Sequence, residues 1–145
     1  METFVLPLQI RWADLDPNFH LRHSVFYDWG ASCRLNFLIM HGLTMALMQE
    51  RHFGPVLFRE ECIFRKEINF GDPLHITMEL LKSRKDFSRW SIRHSFIKDI
   101  DTVAAILIAD SAWMDTLTRK LTVTPGIIHE IFSKMPRGND FQWTG

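Results

Sequence analysis

The stretch RWADLDPNFHLRHSVFYDWGASCR, residues 11–34, decides how the chain is organised. It begins with a polar segment that holds two carboxylates and two imidazoles, those of Asp14, Asp16, His20 and His23. Pro17 interrupts this segment and disfavours helix at the residue before it, which predicts a loop. A run of large apolar side chains follows directly. The stretch therefore predicts a polar loop that leads into a buried helix.

The helix is predicted over residues 24–41, with Ser24 as its N-cap. Apolar side chains recur at helical spacing from Val25 onward, and the second half is apolar nearly all round. A helix of that kind is buried rather than lying on a surface. Gly42 is placed to end it.

Most of the remaining chain alternates between polar and apolar residues with a period of two, which is typical of strands. The predicted strands cover residues 4–12, 56–68, 74–80, 90–96 and 102–114, and a short helix is predicted over 125–134. We expect an α+β fold, in which a curved antiparallel sheet of about five strands wraps around the one long buried helix. The last four strands are expected to follow one another as a meander. Residues 1–145 are expected to form one domain, with 136–145 as a loose tail.

Composition and charge exclude several classes of partner. The 145 residues are 46% hydrophobic and 23% charged, which is ordinary for a globular protein. Lys+Arg and Asp+Glu both count 17, so the net charge gives no argument for binding nucleic acid or a membrane surface. No apolar run is long enough to span a membrane, and the N-terminal residues do not resemble a signal peptide. We therefore expect a cytoplasmic protein, in which Cys33 and Cys62 are free thiols.

The loop before the helix is open to three interpretations. In the first, the carboxylates stabilise a turn and the histidines have no chemical role. In the second, the carboxylates and imidazoles hold a metal, although no metal-binding motif supports it. In the third, one carboxylate activates a water or attacks a carbonyl carbon that is polarised by the free amides of the helix N-terminus. Spacing alone leaves all three open.

Two motifs add a resemblance to a known family. RWADLDPNFH (residues 11–20), followed by HSVFYDWGASCR (23–34), resembles the start of the hotdog-fold acyl-CoA thioesterases, in particular the 4-hydroxybenzoyl-CoA thioesterase-like and Tol-Pal-associated groups. INFGDPLHITMEL (68–80) resembles the Gly-Asp turn that leads into the next strand of that family. The expected order of elements also matches, so the resemblance covers residues 4–125.

The resemblance implies hydrolysis of an acyl-CoA or aryl-CoA thioester to a free acid and coenzyme A. Asp16 matches the family's catalytic aspartate and would act as general base or nucleophile. His23 matches a histidine of the Tol-Pal-associated branch and would orient or polarise the substrate. The oxyanion hole would be formed by the backbone amides of Ser24, Val25 and Phe26. No metal or redox cofactor is implied, and the active site is expected between the subunits of a homodimer or a dimer of dimers.

Six further residues are candidates for supporting roles. Asp14, His20 and Trp12 would support the site, but Trp12 stands where one branch has a catalytic tyrosine, so no hydroxyl role carries over to it. A hairpin carries the basic residues Arg84, Lys85 and Arg89, which are interpreted either as contacts for the phosphates of coenzyme A or as a solvated charged loop. Two alternatives to hydrolysis remain: a fold that binds an acyl thioester or small apolar ligand without cleaving it, and a metal site in the Asp/His loop.

Overall fold

The computed structural model describes residues 3–145. Along the chain, the elements are β1 (Phe4–Leu8), a 3-10 helix (Trp12–Asp14), α1 (His23–Met40), α2 (Met45–Arg51), β2 (Phe53–Phe64), β3 (Leu74–Arg84), β4 (Arg89–Lys98), β5 (Thr102–Asp115), β6 (Lys120–Leu121), α3 (Gly126–Ser133) and β7 (Arg137–Thr144). The expected α+β class is confirmed, because a curled antiparallel sheet packs against the central helix α1.

Helix α1 is held against the sheet by one apolar face. The buried residues of that face are Val25, Phe26, Gly30, Cys33, Phe37 and Leu38. Gly30 makes the closest approach, because a Cβ atom at this position would collide with Cδ2 of Leu107 on β5. The side chain of Leu107 therefore occupies the space that a side chain at position 30 would need.

The strands are paired in the order β1-β3-β4-β5-β2. The expected four-strand meander is wrong for β2, which pairs with β5 at the far edge of the sheet, while β3 pairs with β1 and β4. Residues 65–73 carry the chain from β2, at one edge of the sheet, to β3 and pass the start of α1, where the Leu21 N–H bonds the Ile68 carbonyl over 2.8 Å. A period of two shows which residues form strands but not which strands become neighbours.

The C-terminal residues are ordered, and the expected loose tail is wrong. β7 runs parallel to β3 and pairs with its second half, next to the half that β1 occupies. The Arg93 guanidinium donates to both carboxylate oxygens of Asp140, over 2.9 and 2.8 Å, and to Glu79 over 2.7 Å. Hydrogen bonds from Arg93 are the main reason why the pKa of Asp140 lies below its usual range. These contacts join residues far apart in sequence, so no local sequence pattern predicts them.

Several boundaries also differ from the expected ones. The first strand stops at Leu8, and α1 has Arg22 rather than Ser24 as its N-cap. The Ser24 hydroxyl instead accepts a hydrogen bond from Nε of Arg22 over 2.8 Å. α2 was not expected from the sequence, and the Thr44 side chain caps it by accepting from the Leu47 N–H.

In the part of the chain that the structure describes, residues 3–145, no helix combines the length and hydropathy that a membrane crossing requires.

Candidate active site at the start of the first helix

Asp16 lies in the loop before α1, and one of its two carboxylate oxygens is anchored. Oδ1 accepts hydrogen bonds from the backbone N–H groups of Asn18, at 2.8 Å, and of His20, at 3.1 Å. These bonds form the turn that the first interpretation of the loop predicted, and they fix the orientation of the carboxylate. Within residues 3–145, no donor is bonded to Oδ2. That oxygen is therefore available to accept a hydrogen bond from a water molecule or to attack a carbonyl carbon.

Beside Asp16 and the first turn of α1 there is a cleft of about 300 Å³. One wall is the loop and helix start, and the other is the end of β2 with the crossing segment that follows it. The lining residues are Asp16, His20, Leu21, His23, Phe26, Phe64, Arg65, Lys66, Glu67 and Ile68. Asp16 thus faces a cleft with apolar and charged walls.

The helix N-terminus supplies free amide groups to this region. Across residues 3–145, no acceptor bonds the backbone N–H of His23 or Ser24, and no side chain caps the helix. Val25 is already occupied, because its N–H donates to the Arg22 carbonyl over 3.0 Å. Helical geometry directs the Phe26 N–H to the same carbonyl. The free amides are therefore those of His23 and Ser24, rather than the set from Ser24 to Phe26, because α1 begins earlier than expected.

The two histidines of the loop have different surroundings. His23 is the first residue of α1 and its exposed side chain lines the cleft. His20 is half-buried, and its Nε2 lies 3.2 Å from Oε2 of Glu67 on the crossing segment. Both histidines line the cleft, and His20 is paired there with an acidic residue. In residues 3–145, no group of three or more His, Cys, Asp or Glu side chains is arranged to hold a metal ion.

Asp14 has a structural position behind the cleft. Its buried carboxylate accepts from the Arg11 backbone N–H at 2.9 Å and from the Arg11 guanidinium at 2.7 Å. Hydrogen bonding by the Arg11 side chain holds the pKa of Asp14 below its usual range. Trp12 projects outward on the other side of the loop, with 72% of its surface exposed and its ring 6.2 Å from that of Phe19. Neither side chain lines the cleft.

The basic hairpin expected to contact coenzyme A lies at the other end of the sheet. Leu74 marks the end of β3 near the cleft, where it pairs with Leu8. Arg84 is ten residues further along β3, roughly 33 Å away at about 3.3 Å per residue, and Lys85 and Arg89 follow it. The hairpin does not reach the cleft of its own chain.

Arg65 and Lys66 are instead the basic residues that line the cleft. Neither residue was among those predicted from the sequence. The signal available was the charged run Arg65-Lys66-Glu67 directly after a strand, but that run is also typical of a solvated turn.

A buried polar network lies under the middle of α1. Nη1 of Arg34 lies 3.0 Å from Nε2 of His94, and Nδ1 of His94 lies 3.0 Å from the Thr77 carbonyl oxygen. Nη2 of Arg34 lies 3.7 Å from Oε2 of Glu60 on β2. Burial, with a smaller contribution from Arg34, lowers the pKa of His94 to about 3. This network links α1 to three strands and is separate from the cleft.

Comparisons with known proteins agree with this architecture. The family model described as thioesterase-like superfamily matches residues 10–132. The chain therefore belongs to the thioesterase-like superfamily, and the resemblance seen in the sequence is confirmed. A search of curated proteins finds no match.

Several solved structures, among them two thioesterases, share the fold at low sequence identity. A hypothetical protein from Staphylococcus aureus, solved in complex with CoA, is 16% identical with a TM-score of 0.83, and the match covers 95% of this chain and 89% of that one. A 1,4-dihydroxy-2-naphthoyl-CoA thioesterase from Synechocystis is 15% identical, with a TM-score of 0.81 and coverage of 92% and 97%. A gentisyl-coenzyme A thioesterase is 19% identical, with a TM-score of 0.74 and coverage of 90% and 99%. At these identities the likeness establishes the hotdog fold.

Proposed function

We propose that the protein hydrolyses an acyl-CoA or aryl-CoA thioester to a free acid and coenzyme A. The observation that carries the proposal is that the cleft is lined by Asp16, whose Oδ2 has no donor within residues 3–145, and by His23 at the uncapped start of α1. Family membership and the thioesterases of the same fold support the choice of a thioester.

The chemistry follows from these groups. The N–H groups of His23 and Ser24 donate to the thioester carbonyl oxygen and stabilise the negative charge that develops on it. As general base, Asp16 takes a proton from a water molecule whose oxygen attacks the carbonyl carbon. The C–S bond then breaks, the proton passes to the departing sulfur, and the acid is released. As nucleophile, Asp16 would instead attack the carbonyl carbon and expel the coenzyme A thiolate, which then takes up a proton, and water would hydrolyse the resulting anhydride in a second step. The His23 ring is placed to orient the water or the carbonyl.

Arg65 and Lys66 supply positive charge beside this chemistry. We assign them to the anionic part of the substrate, since guanidinium and ammonium groups pair with phosphates. The hairpin residues Arg84, Lys85 and Arg89 would reach a bound coenzyme A only from a second copy of the chain, because their own cleft is roughly 33 Å away along the strand.

A homodimer, alone or within a dimer of dimers, completes the proposal. β2 ends the sheet, and its exposed apolar side chains are Leu57, Phe58, Ile63 and Phe64. An edge strand of this kind is prone to pair with another chain. Pairing between two β2 edges would bring the partner close to Phe64, which lines the cleft. The cytoplasmic location stays a prediction.

One observation favours the alternative of binding without hydrolysis. The bonds from Asn18 and His20 account for the Asp16 carboxylate as a turn residue without any catalytic role. In that case the cleft would hold an acyl thioester intact. The free amides of the helix and the basic residues of the cleft would serve binding alone.

Release of free thiol from a panel of aryl-CoA and acyl-CoA thioesters tests hydrolysis directly. We expect turnover with at least one member and a loss of two or more orders of magnitude in Asp16→Asn, whose amide oxygen can still accept from the loop. Asp101→Asn, in an exposed turn between β4 and β5, is the matched control and should keep full activity. Measurable binding without turnover would favour the alternative. Full activity in Asp16→Asn would remove Asp16 from the chemistry.

A further inference from the structure

A second cavity, of about 160 Å³, lies between the middle of α1, strands β2 to β5 and α3. Its walls are mostly apolar and include the indoles of Trp90 and Trp113 and the ring of Phe132. A cavity of about 150 Å³ lined by apolar side chains is large enough to bind benzene. The space therefore accommodates a ligand of about the size of one six-membered ring with a small substituent.

Three polar side chains that line this cavity have hydrogen-bond donors that are not fully used. The indole Nε1 atoms of Trp90 and Trp113 are buried without a hydrogen-bond partner in the described chain, residues 3–145. Arg34, which is mostly buried, lines the same cavity. One of its Nη atoms bonds His94, whereas Glu60 stays 3.7 Å from the other, too far for a strong hydrogen bond. All three groups are donors, so each can bind an acceptor atom of a ligand.

The cavity is distinct from the cleft at Asp16. The two share no lining residue. Phe26 of the cleft and Arg34 of the cavity are eight residues apart on α1, which is about 12 Å along the helix axis. Between them, Gly30 brings the helix against Leu107. A ligand in this cavity would not occupy the position of the thioester carbonyl.

We propose that this cavity is a binding site for a small apolar carboxylate, with its apolar body among the indoles and its carboxylate on Arg34. Guanidinium groups match carboxylates in charge and geometry. The unpartnered indole N–H groups supply further donors to an anionic ligand, and unsatisfied buried donors of this kind gain most from an acceptor. Glu60 is the competing anion, because a bound carboxylate would share the guanidinium with it.

Titration of the full-length protein with benzoate, and with benzamide as its neutral isostere, tests the charge requirement. Calorimetry gives the affinities, and Trp90 and Trp113 provide a fluorescence signal from within the cavity. We expect benzoate to bind at least tenfold more tightly than benzamide. In Arg34→Met the preference should disappear, whereas Glu60→Gln should tighten benzoate binding several-fold because it removes the competing charge.

Two further variants locate the ligand. Ala31 lies on the exposed side of α1 and lines the cavity, so Ala31→Phe should block both probes while the buried network stays intact. Asp16→Asn should bind benzoate as well as the unaltered protein does, whatever happens to turnover. The proposal is overturned if benzoate fails to saturate at millimolar concentrations, if it binds no better than benzamide, or if Ala31→Phe leaves its binding unchanged. Loss of binding in Asp16→Asn would place the ligand in the cleft and would also overturn it.

Discussion

The contact between Arg34 and His94 fixes the protonation state of a fully buried imidazole. A guanidinium can only donate, so Nε2 of His94 must accept the hydrogen bond from Arg34. The ring proton is therefore on Nδ1, where it is donated to the Thr77 carbonyl. Burial and the neighbouring positive charge lower the pKa of His94 to about 3. The ring stays neutral throughout the neutral pH range.

We therefore expect His94 to show a single Nδ1–H tautomer and no titration from neutral pH down to about pH 4, as measured by nitrogen NMR of the imidazole rings. In the unfolded chain it titrates near about 6.5. The pKa of His94 is lower in the folded protein than in the unfolded chain. The contribution of His94 to stability is therefore complete above the unfolded pKa and declines as the pH falls toward the folded pKa of about 3. The unfolding free energy of His94→Gln should depend less on pH in this window. His129→Gln, at an exposed site, should keep the original slope.

Asp14 and Asp16 are two residues apart, yet we expect their substitution to affect different properties. Asp14→Asn should lower stability and Asp16→Asn should lower turnover. Asp14→Asn loses the charged pair with Arg11, so its unfolding free energy should fall by about 1 kcal/mol, with hydrolysis retained at temperatures where the protein is folded. The folded pKa of Asp14 is lowered, so its contribution is present above about 3.9 and is lost as the pH falls below that value. Denaturant unfolding at neutral and acidic pH measures both effects. A variant as stable as the original at neutral pH would contradict the structural role.

The close approach at Gly30 predicts that Gly30→Ala is destabilising, although alanine is the better helix former. The new methyl group would collide with Leu107 and crowd the Arg34–His94 contact. Overpacking of this kind costs about 1–3 kcal/mol, which exceeds the gain of about 1 kcal/mol in helix propensity. Denaturant unfolding gives the difference. Gly126→Ala at the start of α3 is the matched control, because a Cβ there meets no atom within 4 Å, and it should be neutral.

The proposed pairing of two β2 edges predicts that charge on this strand separates the subunits. Ile63 is 46% exposed on β2, and Ile63→Lys should convert a dimer to a monomer in sedimentation measurements. Turnover should fall with it, since the partner borders the cleft. Ile100→Lys provides the comparison, because Ile100 is 89% exposed in a turn away from β2. A dimer that survives Ile63→Lys with unchanged stability would require another interface.

Local sequence patterns were sufficient to predict most helices and strands, but not which strands pair with each other. The apolar run from Val25 onward predicted α1 because helical spacing is a local property, and the alternating segments predicted β3 and β4 for the same reason. The pairing of β2 with β5 depends on residues 65–73 crossing the molecule. The position of β7 is stabilised by the hydrogen bond from Arg93 to Asp140, which lies 47 residues later in the chain. Contacts between residues so far apart in sequence cannot be predicted from a short window of residues.

The candidate site was predicted to a similar degree. Asp16 and His23 do line one cleft, because the loop and the helix start that carry them are adjacent in sequence. The free amides were placed one residue late, since the choice of N-cap depended on Ser24, whose hydroxyl is used by Arg22. Arg65 and Lys66 come from the crossing segment, so only the fold brings them to the cleft. Arg34 lies on α1, and only the fold brings its guanidinium beside His94 of β4.

The two margins of the sheet are unequal, and this restricts how copies of the chain can assemble. One margin is divided between β1, five residues long with Pro7 inside it, and β7, which runs in the opposite direction and has a register shift. Short strands, proline and irregular pairing are the features that prevent further strands from being added. The other margin is β2, a single strand of 12 residues; its proline, Pro55, and its register shift lie in its first half, so residues 59–64 pair with β5 without interruption. Another strand is therefore most readily added by hydrogen bonding to the β2 edge. When two copies of the chain pair through their β2 edges, this edge is no longer free in either copy. The architecture favours a closed pair over an open-ended filament.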